Sequence, residues 1–196
     1  MMAMGEPRVA GDPLPPNSEI IEVRVAELGQ LFHTIDPTPF RNRDLDPSVE
    51  EFIVEWGRES PSTKPLALLV HLDRPASDSD EAVIVRDAIH WFFARRAKAA
   101  RSRLRQLFRR GRVSLVIGLV ALTALVLAAQ FVGRRTSDTG LVPILQETLL
   151  IGGWVAMWRP LEVFLYDWWP IRAEARLFDR LAKMPVRLVY EGVTKA

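Results

Sequence analysis

The sequence predicts an α+β membrane protein: a two-helix transmembrane hairpin carrying a small cytoplasmic α/β domain. Three observations predict it. Residues 113–132 form one uncharged, almost wholly apolar run. A second apolar run begins at Leu141, after a polar break at 133–140. Ahead of both, residues 19–94 carry strand, helix, strand and long-helix patterns in that order.

Charge is distributed in blocks. The 196-residue chain has a formal net charge of only +2. Residues 1–80 hold 15 acidic and 7 basic side chains, whereas residues 81–112 hold 2 acidic and 10 basic. The basic pI therefore reflects one block set against the first apolar run. There is no cysteine, which excludes disulfides, thiolate catalysis and cysteine metal sites.

Residues 1–18 read as a disordered leader. They are rich in Gly and Pro, include Pro13 and Pro16 in a Pro-x-x-Pro spacing, and lack the apolar core of a signal peptide. In residues 19–26, Ile21, Val23 and Val25 alternate with Glu22 and Arg24, the pattern of a half-buried strand. Residues 27–46 read mostly as loop, with Asp36-Pro37-Thr38-Pro39 forcing a turn. Asp46-Pro47 opens a helix as N-cap and first-turn proline. Val49, Phe52, Ile53 and Trp56 follow at the spacing of one apolar face. Residues 66–72 are short and almost continuously apolar, as in a buried central strand. Strand, helix and strand together indicate a βαβ unit with parallel strands.

A long helix is expected from near Asp80, with Ala82, Val85, Ile89 and Phe92 covering the sheet. From Arg95 to Arg112 it becomes a basic juxtamembrane helix with nine Lys and Arg and no acid. Residues 113–132 follow as the first span, long enough at about 1.5 Å per residue to cross about 30 Å of hydrocarbon. Residues 133–140 form a short external loop. The second span is assigned to residues 141–160, although it includes Gln146, Glu147 and Thr148. Pro160 permits a kink, and residues 161–170 then read as an interfacial aromatic segment. Residues 171–183 form an amphipathic helix through Ile171, Ala175, Phe178 and Leu181. Val186, Leu188 and Tyr190 alternate with Arg187 and Glu191, a strand that cannot stand alone and is expected to join the N-terminal sheet.

Orientation follows from the basic residues. Nine precede the first span, the loop offers Arg134 and Arg135, and Arg172, Arg176, Arg180 and Lys183 follow the second. Both ends are expected to be cytoplasmic. Arg101, Arg105, Arg109, Arg110 and Arg112 are expected to meet anionic lipid headgroups, with Trp158, Arg159, Tyr166, Trp168 and Trp169 at the same interfacial level. Nucleic acid is the competing partner for such a run, but lipid takes the same face and Phe108 is the one aromatic residue within it. A small-residue stripe, Gly118, Ala121, Ala124 and Ala128, is expected to pack on Gly152, Gly153 and Ala156. Homo-oligomerisation is the competing use of that stripe.

The chemical motifs are sparse. No Gly-rich phosphate loop, nucleophile elbow or His-Glu-x-x-His occurs, and no cofactor or metal is expected. His33, Asp36, Asp44 and Asp46 share one loop, where the aspartates read as turn and cap residues. Three functions are compatible. A membrane-anchored, non-enzymatic interaction or scaffolding protein would present its acidic domain to a protein partner. An oligomeric transport or channel component would use Glu147, Arg159 and Glu162. A membrane-bound enzyme would work from the His33–Asp46 loop.

Two stretches carry a resemblance. Leu31-Phe32-His33-Thr34-Ile35-Asp36-Pro37-Thr38-Pro39-Phe40 with Arg41 to Asp46, and Gly153-Trp154-Val155-Ala156-Met157-Trp158-Arg159-Pro160-Leu161-Glu162 with Val163 to Pro170, are together similar to a family of small two-pass bacterial membrane proteins. The resemblance covers residues 20–190 or so. It implies a bacterial inner-membrane location and brings no assigned activity.

Overall fold

A computed structural model describes residues 8–32, 44–73, 80–135 and 141–191. The elements are β1 (Arg8–Gly11), β2 (Glu19–Val25), α1 (Pro47–Glu59), β3 (Leu66–Leu72), α2 (Glu81–Arg135), α3 (Leu141–Glu162), α4 (Trp168–Leu181) and β4 (Val186–Tyr190). The chain divides into two compact units, Met1–Ala99 with Glu174–Ala196, and Ala100–Ala173. The fold is α+β with a four-stranded mixed sheet, and two helical stretches are long and apolar enough to cross a membrane.

The first unit is built on that sheet, in the order β1-β4-β3-β2. β2, β3 and β4 run parallel, and β1 is antiparallel to β4. The C-terminal strand thus enters the sheet between β3 and β1. Period-two alternation sends Ile21, Val23, Leu68, Val70, Leu72, Val186 and Leu188 to the buried face. Ile53 of α1, Val85, Ile89, Phe92 and Phe93 of α2, and Phe178 and Leu181 of α4 are buried with them. Each such side chain contributes about 1.5–3 kcal/mol when fully buried. Phe93 stacks on Phe178 (centroids 6.3 Å apart) and meets Phe92 edge-on at 5.3 Å.

Polar contacts tie the late chain to the early chain. His90 Nε2 lies 2.7 Å from the Met184 carbonyl, and Tyr190 donates to Glu81 at 2.9 Å. Arg180 donates to the carbonyls of Pro61 and Lys64, both at 3.0 Å. Asp12 accepts from Arg86 at 3.1 Å, and its carbonyl accepts from Arg187 at 3.0 Å. Hydrogen bonds to Asp87 and Asp12 raise the pKa of Arg86 above its ordinary value, so it stays charged. Gly11 has φ +108°, and a Cβ there would lie 2.5 Å from the Val186 carbonyl. Only glycine fits this turn.

Two expectations for this unit need correction. Residues 8–18 are not a disordered leader: Arg8 to Gly11 pair with Tyr190 to Arg187 as β1. The pairing satisfies the second edge of β4, whose backbone would otherwise lie open; residues 1–7 lie outside the described residues. In α1, Ile53, Val54 and Gly57 are buried, while Phe52 and Trp56 are each 42% exposed. The helix is rotated because Gly57 takes Leu177 and Leu181 of α4 at close range. The 27–46 stretch also contains a 3₁₀ turn at Leu28–Leu31 and a bridge between Phe32 and Leu45.

The second unit is a helical hairpin. The basic segment and the first apolar run are one uninterrupted helix, α2. α3 passes through Pro160 and is followed by a π-helical turn at Val163–Asp167 and then α4. Residues 161–170 are therefore helical throughout, with the π turn at their centre. Proline removes one i→i−4 donor. The wider π turn a few residues on is the usual way a helix accommodates an extra residue without breaking.

Candidate functional site

The candidate site is the hairpin surface, which has an inner, close-packed side and an outer, apolar side. On the inner side, glycines of α2 meet α3. A Cβ on Gly118 would lie 2.9 Å from the Ala156 carbonyl and 3.3 Å from the Pro160 ring. Pro160 has no N–H to give Ala156, four residues back, so the helices touch where α3 lacks a backbone bond. A Cβ on Gly111 would lie 2.7 Å from Val163, and Gly153 faces Leu122 in the same way at 2.6 Å. Near the far end, Gln146 Nε2 crosses to the Ala129 carbonyl at 3.0 Å.

The predicted packing stripe is only partly this face. Gly118 is buried and Ala121 half-buried, but Ala124 and Ala128 are exposed. Gly152, Gly153 and Ala156 do lie on the inner side of α3. Helix geometry explains the error. At roughly 100° per residue, Gly111, Leu122, Leu125 and Ala129 stay within about 40° of Gly118, whereas Ala128 lies about 80° and Ala124 about 120° away. The seven-residue step from Gly111 to Gly118 to Leu125 was the signal that could have found this face.

The outer side is apolar and open: Val116, Ile117 and Val120 are more than 60% exposed, as are Ile144, Trp154 and Val155. Arg101, Arg105, Arg109, Arg110 and Arg112 are all exposed on α2. Trp158, Tyr166 and Trp169 are 64–71% exposed. Trp168 is half-buried, donates to the Phe164 carbonyl at 2.9 Å, and carries Arg172 over its ring at 5.5 Å. Arg159 pairs with Glu162 at 2.8 Å, so these two charges neutralise one another locally.

The other candidate residues serve structure where they are described. Asp46 caps α1 by accepting from Ser48 N at 2.9 Å, and Asp44 pairs with Arg95. His33 and Asp36 lie outside the described residues. No group of three or more His, Cys, Asp or Glu able to hold a metal occurs among the described residues. In the first unit, Glu50, Glu51, Glu55 and Glu174, with Arg58 and Arg96, line an open acidic cleft of roughly 400 Å³. Comparison with protein-family models, curated proteins and solved structures finds no match to this chain.

Proposed function

We propose that this is a two-pass membrane protein with both ends on the arginine-bearing, cytoplasmic side of a bacterial inner membrane. It acts there as a non-enzymatic anchor that presents its acidic α/β unit to a protein partner. One observation carries the topology. β3 precedes the apolar helices, β4 follows them, and the two strands are neighbours in one sheet. A chain that builds one sheet from both flanks of a membrane segment must cross an even number of times. The exposed aliphatic surface of α2 and α3 supports two crossings, since lipid is the solvent that such a surface requires. The bacterial location rests on the family resemblance.

The arginines from Arg101 to Arg112 supply the interface. Anionic lipid attracts each with about 1 kcal/mol near the surface, enough to hold the acidic unit close despite its own charge. Reporter fusions at Met1, Ala196 and Ser137 test the topology: both termini should report inside and Ser137 outside, and an external signal from either terminus overturns it. Affinity capture from native membranes tests the anchoring role. A stoichiometric protein partner supports it, and none after gentle solubilisation counts against it.

A further inference from the structure

We propose that the β2 edge of the sheet is a self-association surface, on which a second copy of this chain adds its own β2 antiparallel to make one continuous eight-stranded sheet. The observation concerns the α/β unit and does not depend on the membrane reading. The two sheet edges differ. β1 has four residues and ends at Gly11, a short edge of the kind that resists pairing. β2 has seven residues, is in register with β3 throughout, and contains no proline, lysine or bulge to blunt it. Among the described residues no strand pairs with its outer edge.

The backbone direction can be assigned. Glu19 N donates to the Pro65 carbonyl, and Asp73 N donates to the Val25 carbonyl. Odd-numbered residues of β2 therefore turn their backbone groups toward β3. Ile20, Glu22 and Arg24 turn theirs to the outer edge, and their side chains are exposed. A twofold pairing must match these even residues with one another. Centring it on Glu22 or on Arg24 opposes like charges. Centring it on Val23 places Glu22 opposite the second copy's Arg24, twice, and the ladder ends there because the Ala26 N–H is held by the Gln30 side chain at 3.0 Å. Only that register is complementary in charge. The exposed Phe52–Trp56 ring pair, 5.9 Å between centroids, lies on the side of α1 turned away from α4.

The chain has no native cysteine, so engineered thiols report unambiguously. Full-length Glu22→Cys and Arg24→Cys proteins, differently tagged, are reconstituted together in lipid nanodiscs and oxidised with copper phenanthroline, which closes only thiols near enough for a direct disulfide. The proposed register joins Glu22→Cys to Arg24→Cys. Either variant alone links poorly, because like positions are diagonal neighbours about 7–8 Å apart. Efficient self-linking of either variant, or no linking in the mixture, overturns the proposal. In parallel, Glu22→Arg or Arg24→Glu should weaken dimerisation of the intact protein about tenfold, since each reverses two cross-strand pairs. The double exchange Glu22→Arg with Arg24→Glu should restore it. Equal mass distributions for wild type and all three variants, with circular dichroism showing each folded, would refute self-association through this edge.

Discussion

Gly118→Leu offers a sharp test of how the hairpin is held together. Even a methyl group at position 118 would sit 2.9 Å from the Ala156 carbonyl, 3.2 Å from Met157 and 3.3 Å from Pro160. The first of these is backbone and cannot rotate away. An alanine would separate the helices slightly, and its helix propensity, about 1 kcal/mol better than glycine, would largely offset that loss. A leucine cannot be accommodated so cheaply. Overpacking of a close interface costs about 1–3 kcal/mol, so Gly118→Leu is expected to destabilise the hairpin by about 2 kcal/mol, near thirtyfold in the unfolding constant. Ala124→Leu is the internal control. Ala124 is exposed, and the change should fall within about 0.5 kcal/mol of neutral. Reversible unfolding of the full-length protein in mixed dodecylmaltoside–SDS micelles measures both. Equal losses would mean that the packing face is not the Gly111–Gly118–Leu125 face, and the geometric reasoning would fail.

Other substitutions probe separate contacts. Gln146→Leu removes the bond to the Ala129 carbonyl at 3.0 Å and should cost about 0.6–1.7 kcal/mol in the same micelle assay; an unchanged midpoint would show that the crossing bond contributes nothing net. Leu188→Ala hollows a fully buried position in β4 and should cost about 2–5 kcal/mol, read as a lowered thermal midpoint of the α/β unit. A neutral result would mean that the C-terminal strand is dispensable to the sheet. Asp46→Ala deletes the N-cap of α1 and should cost about 1 kcal/mol, whereas Asp46→Ser should recover most of it.

Local periodicity made much of the α/β unit legible. Glu19–Val25 alternates, Leu66–Leu72 is apolar except for His71, and Asp46-Pro47 marks a helix start, all within a few residues of chain. β1 was not legible. Four residues are too few to show alternation, and their partner Arg187–Tyr190 lies at the other end of the sequence. The apolar spacing of α1 included Phe52 and Trp56, yet spacing cannot say which flank of a wide stripe meets the core; the approach of α4 at Gly57 decided that. The hairpin stripe went astray for a related reason. The stripe Gly118, Ala121, Ala124, Ala128 takes two three-residue steps, each rotating by roughly −60°, before a four-residue step returns only about 40°. The inner face of α3 was legible because Gly152, Gly153 and Ala156 lie close together on one side.

The placement of β4 has a consequence for biosynthesis. β1 and β3 are made early but do not pair with each other; β4 fills the space between them. At about 5–20 residues per second, the chain from Leu72 to Val186 takes roughly 6–23 s to emerge. Throughout that interval the growing sheet has a vacant slot, with β1 lacking its ladder partner. In a membrane, β4 reaches the slot only if both apolar helices have crossed and returned the chain to the side where it began. A failed second crossing would strand β4 across the bilayer and leave the slot open. Under the proposed two-pass topology, a completed sheet would therefore mark a chain whose hairpin has inserted fully, and a missed second crossing would leave the edges of β1 and β3 open.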